Sequence, residues 1–318
     1  MNFKKILIII ISLLLIVLIW LVYNIWQGMK DEKPAITESP IKKTPLTSSI
    51  ITTTQPQKLQ QLTTKPIIGL VISGQKLKYF DKINGHIFEM SPDGTREREI
   101  ISSDIPGLLN VVWDQTSSKA IIQTQDKQYF YDFSTNQVIL ADFKDPVWFK
   151  DQIIYQCSSG VCQSDPDGFN EKIIFQTSLK DFNIVSDNQA IYIYQRTSAK
   201  APSIVYQINP FKKIIGPYYG LIFKSPDNYS IGLEPYQTIA NKCIANYCAV
   251  PRNLSSNALM PDDYYKNLIT TQDTFWDIQN KKEIIKTPYD AESLLIFEDK
   301  LYFTDKTSGY LYIIRLTE

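Results

Sequence analysis

The sequence predicts an all-β fold that follows an N-terminal transmembrane helix, and three observations lead to this prediction. The first is an unbroken apolar run near the start of the 318-residue chain. The second is a dense series of short runs rich in β-branched and aromatic residues, with turn residues between them. The third is a repeat of about 37 residues within that series.

The composition narrows the classes of function. The chain has 33 basic and 33 acidic residues, so no excess of positive charge indicates binding to nucleic acid. Aromatic residues make up 12% of the chain, with 19 Tyr and 15 Phe, which favours strands and a sizeable core. One His and four Cys limit the chemistry of a potential active site.

The apolar run Ile6 to Val22 contains Ser12 as its only polar residue and extends through Trp26. A helix over residues 6–26 is long enough to cross the hydrocarbon layer of a bilayer. A cleaved signal peptide is the alternative, but the following YNIWQGMKDEK offers no small-x-small cleavage site. The sequence therefore predicts an uncleaved anchor that contacts the lipid bilayer through Ile6 to Trp26.

The flanks of this run predict its orientation. Lys4 and Lys5 lie directly before it, and Trp20, Tyr23 and Trp26 cluster at its far end as an interfacial aromatic belt. We expect residues 1–5 to be a cytoplasmic stub and the C-terminal part to lie on the extracytoplasmic side of the cell membrane. Residues 27–56, rich in Pro, Thr and Ser, are predicted to be a disordered linker because they bury too little apolar surface to fold.

From residue 57 to 318 the sequence predicts strands without an intervening helical period. Runs such as NVVWD, KAIIQ, QYFYDF and AIYIYQ follow one another at short intervals. Strands of this length and density are typical of a sandwich, a barrel or a propeller.

An internal repeat distinguishes these three architectures. The segment IFEMSPDG (Ile87 to Gly94) recurs as VCQSDPDG (Val161 to Gly168), an offset of 74 residues, or two periods of 37. A four-stranded propeller blade needs about this length, whereas a sandwich shows no such period. The sequence therefore predicts a β-propeller of six or seven four-stranded blades.

One blade can be traced strand by strand. Its strands, from the inside outward, are predicted at Leu108 to Asp114, Lys119 to Thr124, Gln128 to Phe133 and Gln137 to Ala141. Further blades are predicted at 66–104, 145–178, 182–216 and, with only three strands, 291–316. Residues Lys58 to Thr63 are expected to supply the missing outer strand and so to close the ring.

These units resemble the repeats of TolB-type β-propellers, which are related loosely to WD-repeat propellers. FKSPDNYSIGL (Phe223 to Leu233) resembles the family's turn between first and second strands, with Asn228 where Gly is usual. The resemblance implies a propeller and no activity; residues 237–272 depart from it and are predicted to be an insertion or a degenerate blade. The chain also resembles membrane-anchored propeller proteins of small-genome bacteria at CAVP (Cys248 to Pro251) and PDDYY (Pro261 to Tyr265), a group to which no activity is assigned.

The four cysteines form two closely spaced pairs, Cys157 with Cys162 and Cys243 with Cys248. A two-residue turn at the centre of each intervening segment would place the two cysteines directly opposite across a hairpin, which predicts two local disulfides. A zinc site of four thiolates and a set of buried free thiols are the alternatives. The spacing of four residues within each pair departs from the usual two of zinc sites.

No motif of an enzyme is present. The only imidazole, His86, begins a strand beside an Asn-Gly turn, and neither a nucleophile elbow nor a phosphate-binding loop occurs. Asp165 and Asp167 in SDPDG are interpreted as turn residues, since the calcium-ligand series is incomplete. We therefore expect no catalytic residue, no metal and no cofactor; carboxylate-only chemistry, which needs no local motif, stays open.

The favoured hypothesis is a binding or scaffold module for an envelope protein, a peptide or a glycan, because loops on a rigid frame commonly carry recognition. The loop Pro261, Asp262, Asp263, Tyr264 and Tyr265 is the candidate partner-binding element. The alternative is an extracytoplasmic hydrolase or lyase that uses carboxylates in the propeller channel. Converging carboxylates of raised pKa would favour the enzyme, and an apolar patch on residues 237–272 would favour the binder.

Overall fold

A computed structural model describes residues 58–180, 182–187, 189–195, 198, 203–218, 221–225, 228–231 and 242–316. The predicted stub, transmembrane helix and linker lie outside these residues. No helix within the described ranges has both the length and the apolar character needed to cross a membrane.

The described residues form 26 strands in seven antiparallel sheets, numbered here in chain order. Sheet 1 contains β2 (Ile67–Ser73), β3 (Lys76–Asp81), β4 (Ile87–Met90) and β5 (Arg98–Ile101). Sheet 2 contains β6 (Leu108–Trp113), β7 (Lys119–Thr124), β8 (Gln128–Asp132) and β9 (Gln137–Ala141). Sheet 3 contains β10 (Lys144–Phe149), β11 (Gln152–Cys157), β12 (Gly160–Ser164) and β13 (Lys172–Gln176).

The remaining sheets continue the series. Sheet 4 contains β14 (Phe182–Ser186), β15 (Ile191–Gln195), β16 (Ser203–Ile208) and β17 (Phe211–Tyr218). Sheet 5 has two described strands, β18 (Leu221–Ser225) and β19 (Asn228–Ile231). Sheet 6 contains β20 (Cys243–Ile244), β21 (Tyr247–Pro251), β22 (Asp273–Asp277) and β23 (Lys282–Lys286). Sheet 7 contains β24 (Ala291–Phe297), β25 (Lys300–Asp305), β26 (Leu311–Arg315) and, from the start of the domain, β1 (Leu59–Gln61).

Successive side chains of the middle strands point to opposite faces of their sheet, and this explains how the sheets pack. In sheet 2, Ala120 and Ile122 pack against Phe80 and Ile87 of sheet 1, while Ile121 between them packs towards sheet 3. Successive side chains of a strand point to opposite faces, so a strand apolar at every position is buried on both sides. The core therefore lies between consecutive sheets.

The first strands of consecutive sheets lie side by side. β2 contacts β6, β6 contacts β10, β10 contacts β14, β14 contacts β18, β20 contacts β24, and β24 contacts β2. Sheets that pack face to face, with their first strands arranged in this order, form a β-propeller. The predicted propeller and its resemblance to TolB-type and WD-repeat propellers are confirmed at the level of the fold.

Strand β1 joins the two ends of the domain. Leu59 pairs with Ile314, and the Leu62 N–H donates to the Leu311 carbonyl at 2.8 Å. The prediction that residues 58–63 supply the outer strand of the last blade is therefore correct.

The repeated Pro-Asp-Gly segments form the same turn, each between the third and fourth strands of a sheet. The N–H of Gly94 donates to the Ser91 carbonyl at 2.9 Å, and that of Gly168 donates to the Asp165 carbonyl at 2.9 Å. Both glycines have positive φ, +83° and +86°, which a side chain would disfavour. Asp167 accepts the Phe169 N–H at 3.1 Å, as expected for a turn residue.

The segment 237–272, predicted to be an insertion or a degenerate blade, is in part regular sheet. Residues 243–251 form β20 and β21, the first two strands of sheet 6, and residues 237–241 are outside the described ranges. The irregular segment within the described residues is the connection 252–272, which contains a short helix, α1 (Asp262–Tyr265). Periodicity missed β20 and β21 because the first is only two residues long.

Candidate binding face

Because consecutive strands of each sheet run in opposite directions, two kinds of connection lie at the same edge. The loop from the second to the third strand and the link from the fourth strand to the next sheet both lie there. We call this edge the 2–3 face. It carries the β21–β22 connection with α1, and it is where the first strand of each sheet begins.

A cleft of about 680 Å³ opens where sheets 2, 3 and 4 meet. Its lining includes Asn110 of β6, Val147 of β10 and Asn183 of β14, which all belong to first strands. Gln123 and Gln128, on either side of the β7–β8 loop, place it at the 2–3 face. We call this cleft the channel-mouth pocket because first strands line the centre of a propeller.

Buried amide side chains hold the walls of this pocket. The Gln128 amide nitrogen donates to the Phe143 carbonyl at 3.0 Å, and the Phe143 N–H donates to the Gln128 amide oxygen at 2.7 Å. Gln156 donates to the Asp145 carboxylate at 2.9 Å and also to the Phe182 carbonyl. The links that enter β10 and β14 are thus tied to neighbouring strands, and the pocket is formed before a ligand arrives.

Asp145 adopts a left-handed conformation, φ +49°, at the rim of the pocket. A non-glycine residue in this region is strained, and such strain persists only where the surroundings enforce it. Here the bond from Gln156 holds the side chain. The cavity is thus lined by a carboxylate (Asp145), an ammonium (Lys144) and two neutral amides (Asn110 and Asn183), which can all form hydrogen bonds.

The candidate partner-binding loop lies on the same face of sheet 6. Pro261 and Tyr264 are buried, whereas Asp262, Asp263 and Tyr265 are partly exposed. Asp263 accepts the Leu259 N–H at 2.8 Å and so fixes the start of α1. Only three of the five predicted residues are therefore accessible to a partner in this conformation.

Beneath α1 lies a buried ion cluster that sequence reasoning did not identify. The Lys242 ammonium donates to Thr271 at 2.8 Å, to Asp273 at 2.5 Å and to Asp290 at 2.6 Å, and Lys242 is 0% exposed. The Tyr264 hydroxyl donates to Asp290 at 2.9 Å. No local motif reveals the cluster, since Asp273 and Asp290 lie 31 and 48 residues from Lys242.

The two carboxylates of this cluster differ in their electrostatics. Burial raises the pKa of Asp273 despite its contact with Lys242. Burial acts in the same direction on Asp290, but Lys242 and bonds from Thr271 and Tyr264 hold the pKa of Asp290 below its usual range. One cation shared by two buried carboxylates stabilises the ionised form of one more than that of the other.

A second pair of titratable groups lies nearer to the solvent. Burial raises the pKa of Glu292, which stands on the first strand β24, and burial lowers the pKa of Lys306. The Lys306 ammonium lies 3.6 Å from the centre of the Tyr264 ring and donates to the Tyr264 carbonyl at 3.2 Å. Glu292 is thus a carboxylate of raised pKa on a first strand, which meets one part of our criterion for carboxylate chemistry.

His86 lies at the junction of sheets 1 and 2. Its Nε2 is 2.9 Å from an Asp104 carboxylate oxygen, and its Nδ1 is 3.4 Å from Glu99. The bond with Asp104 raises the pKa of His86. Both described partners of His86 are carboxylates: Glu99 belongs to β5, and Asp104 belongs to the link between sheets 1 and 2. His86 therefore connects this link to β5, as expected of a histidine at a strand end.

All four cysteines form the two predicted disulfides. Cys243 lies directly opposite Cys248 across β20 and β21, as the spacing predicts. The predicted register of the other pair is wrong: Cys157 lies opposite Gly160, and Cys162 lies opposite Tyr155. The turn falls one residue earlier than assumed, which shifts the register by two and leaves both cysteines on one face in a diagonal pair.

Comparison with known proteins gives similarity to solved structures at low sequence identity. No family model and no curated protein matches the chain. Among solved structures, it is similar to the Cps50 (Swd1) β-propeller domain of Myceliophteria thermophila, with 9% identity, coverage of 81% of this chain and 100% of that one, and a TM-score of 0.48. BamB from Moraxella catarrhalis shows 10% identity, coverage of 81% and 99%, and a TM-score of 0.48.

An oligogalacturonate lyase in complex with manganese shows 11% identity, coverage of 79% of this chain and 77% of that one, and a TM-score of 0.39. The propeller is established here by the order of the sheets and the contacts of their first strands. The similarities add no functional residue, because fold alone does not determine function.

Proposed function

We propose that this protein is a membrane-tethered extracytoplasmic propeller that binds a protein, peptide or glycan partner at its 2–3 face. The channel-mouth pocket is the main support for this proposal. It is concave, its walls are fixed by buried hydrogen bonds, and its lining combines polar residues with a similar number of apolar ones. Such a surface suits a ligand that offers many hydrogen-bonding groups.

The connection 252–272 supplies a second contact region on the same face of sheet 6. Leu259 and Leu268 flank α1 and are 48% and 68% exposed. Exposed apolar side chains in this segment favour a binder by the criterion set from the sequence. The ion cluster below them is closed to a partner, because Lys242 is buried beneath the Tyr264 ring.

Two features support the proposed location. The apolar run Ile6 to Trp26 has the length of a membrane anchor. Both disulfides suit an oxidising compartment, since thiols of the cytosol are kept reduced.

The test uses the full-length chain with a C-terminal affinity tag, purified from cross-linked envelope, and a pocket-blocking variant. Asn110 is exposed and lines the channel-mouth pocket, so Asn110→Trp should fill the cavity at little cost in stability. Asp151→Trp, in the exposed β10–β11 loop on the opposite face, adds the same bulk as a control. We expect Asn110→Trp to reduce recovery of a stoichiometric partner, or retention on a glycan array, about tenfold or more.

Equal recovery with the wild type and both variants would contradict binding at this pocket. Turnover of a glycan on the same array would replace the binder with an enzyme.

The second candidate function is a carboxylate-dependent hydrolase or lyase, and Glu292 is the observation in its favour. A half-buried carboxyl of raised pKa can act as a general acid, and Lys306 of lowered pKa can support it. The binder is preferred because the other converging carboxylates, Asp273 and Asp290, are buried and occupied by Lys242. If glycan turnover is found, Glu292→Gln should abolish it and Asn110→Trp should leave the chemical step unchanged.

A further inference from the structure

A second cleft, distinct from the channel-mouth pocket, lies between sheets 1 and 2. It measures about 490 Å³ and is lined by Ile105 and Pro106 of the link between the sheets and by Ile122, Tyr129, Tyr131 and Val138 of sheet 2. Asp104 and Asp126 stand at its rim. We call it the outer cleft.

The outer cleft exists because sheet 1 covers only part of the face of sheet 2 that packs against it. Cross-strand pairs place Ile122, Tyr129 and Leu140 on one face, together with Tyr131 and Val138. Tyr131 is 3% exposed, whereas Val138 and Leu140 of the outer strand are 52% and 64% exposed. The apolar face thus continues beyond the part that sheet 1 covers.

Strand β9 is also an uncapped edge. It pairs with β8 on one side, and no described strand pairs with its other side. Its sequence, QVILA, carries no charge. Proteins usually protect such edges with charged residues. The outer strands β5, β13, β17 and β23 follow this rule, with Arg98 and Glu99, Lys172, Lys212 and Lys213, and Lys282, Glu283 and Lys286 respectively. The outer strand β1 of sheet 7 is also uncharged, but it is only three residues long and two of them are glutamines.

An extended polypeptide fits these two features together. The free N–H and C=O groups of β9 are matched by the backbone of another strand, and the outer cleft takes the side chains on one face of that strand. A second copy of this chain meeting along a five-residue edge would bury far less than the roughly 1,200 Å² of a stable interface. A flexible peptide segment binds through a smaller buried area, because it adapts its shape to the surface. The lining holds two carboxylates, Asp104 (side chain 81% exposed) and Asp126, against one ammonium, Lys127, and this excess of negative charge favours a basic residue beside the apolar ones.

We propose that β9 and the outer cleft bind an extended segment of a partner protein as an added strand. Apolar residues at alternate positions of the segment enter the cleft beside Val138 and pack on Leu140, which continues the same face of β9. This site is independent of the channel-mouth pocket.

The test is a selection of random heptapeptides displayed on phage against the full-length chain in detergent micelles. Peptides with alternating apolar residues and a flanking Lys or Arg should be enriched. The best of them, made synthetically, should bind Leu140→Lys at least about tenfold more weakly, since burial of a leucine corresponds to roughly ten- to hundredfold in affinity. Ile173→Lys, on the outer strand of sheet 3 at an exposed position, is the matched control and should bind normally.

Hydrogen bonding between the backbones of β9 and the peptide is tested separately. Two versions of the same peptide, each N-methylated at one of the two sets of alternate residues, keep all side chains. The version that blocks the N–H groups facing β9 should lose binding, and the other version should keep it. The proposal fails if no such peptide is enriched, if Leu140→Lys binds normally, or if both N-methylated versions bind as well as the parent peptide. Sedimentation of the wild type as a dimer, lost in Leu140→Lys, would replace the peptide with a second copy. Normal peptide binding by Asn110→Trp would separate this site from the proposed function.

Discussion

At the scale of single residues, the buried ion cluster is the feature most sensitive to substitution. Lys242, Asp273 and Asp290 are buried with their charges, and each depends on the others for compensation. A buried ion pair adds little net stability when it is complete, but removal of one partner leaves an uncompensated charge.

We expect Lys242→Met to lower the free energy of unfolding by about 3–5 kcal/mol, because two carboxylates then lack their cation. Lys306→Met is the control, since that ammonium is only partly buried above the same Tyr264 ring. Its cost should be about 1 kcal/mol or less. Urea denaturation of both variants measures the difference, and equal costs would contradict a special role for the buried cluster.

His86 predicts a dependence of stability on pH. Because the bond with Asp104 raises the pKa of His86, the folded state binds this proton more tightly than the unfolded chain does. The resulting stabilisation is fully present below the unfolded pKa of about 6.5 and is lost as the pH rises through the folded pKa. His86→Gln should therefore destabilise the protein more at pH 5.5 than at pH 8.5.

The charged groups described around this imidazole are Asp104 and Glu99. The double variant Asp104→Asn, Glu99→Gln should remove the pH dependence of the His86→Gln effect. A constant effect of His86→Gln across this range would show that the imidazole acts through packing alone.

At the scale of elements, turns were predicted better than registers. Strands β7 and β9 agree with the sequence residue for residue, because Lys119 to Thr124 and Gln137 to Ala141 are apolar runs bounded by polar turn residues. The Pro-Asp-Gly turns were predictable for the same local reason: Gly94 and Gly168 have positive φ that glycine adopts without strain.

The register of the β11–β12 hairpin could not be predicted in this way. Spacing alone placed the turn midway between Cys157 and Cys162, but the structure places it at Ser158 and Ser159. Gly160 then lies in the strand, where a side chain would meet the Phe175 carbonyl oxygen of β13. Contact with the next strand, which lies outside the hairpin, therefore bears on the register.

At the scale of the whole molecule, ring closure depends on a short strand. The Arg315 N–H donates to the Lys58 carbonyl at 3.0 Å and the Leu62 N–H to the Leu311 carbonyl at 2.8 Å. The alternation of antiparallel pairing therefore directs the Gln60 N–H towards β26 and the Gln61 N–H away from it.

We expect Gln60→Pro to lower the free energy of unfolding by about 1–3 kcal/mol, since it leaves a carbonyl of β26 without its donor. Gln61→Pro is the matched control, because its N–H takes no part in the ladder, and its effect should be clearly smaller. Thermal unfolding of the full-length chain measures both. If the two prolines act alike, closure by β1 contributes little to stability.

The sequence by itself determined the all-β class, the propeller, its closure by residues 58–63 and the pairing of the cysteines. Each of these depends on the local order of apolar, turn and cysteine residues, which chain neighbours specify. Only the tertiary structure decided the sites. The channel-mouth pocket joins residues 110 to 183, the ion cluster joins Lys242 to Asp290, and the outer cleft depends on how far one sheet covers the next. Such sites form where remote segments pack together, and no local pattern records that contact.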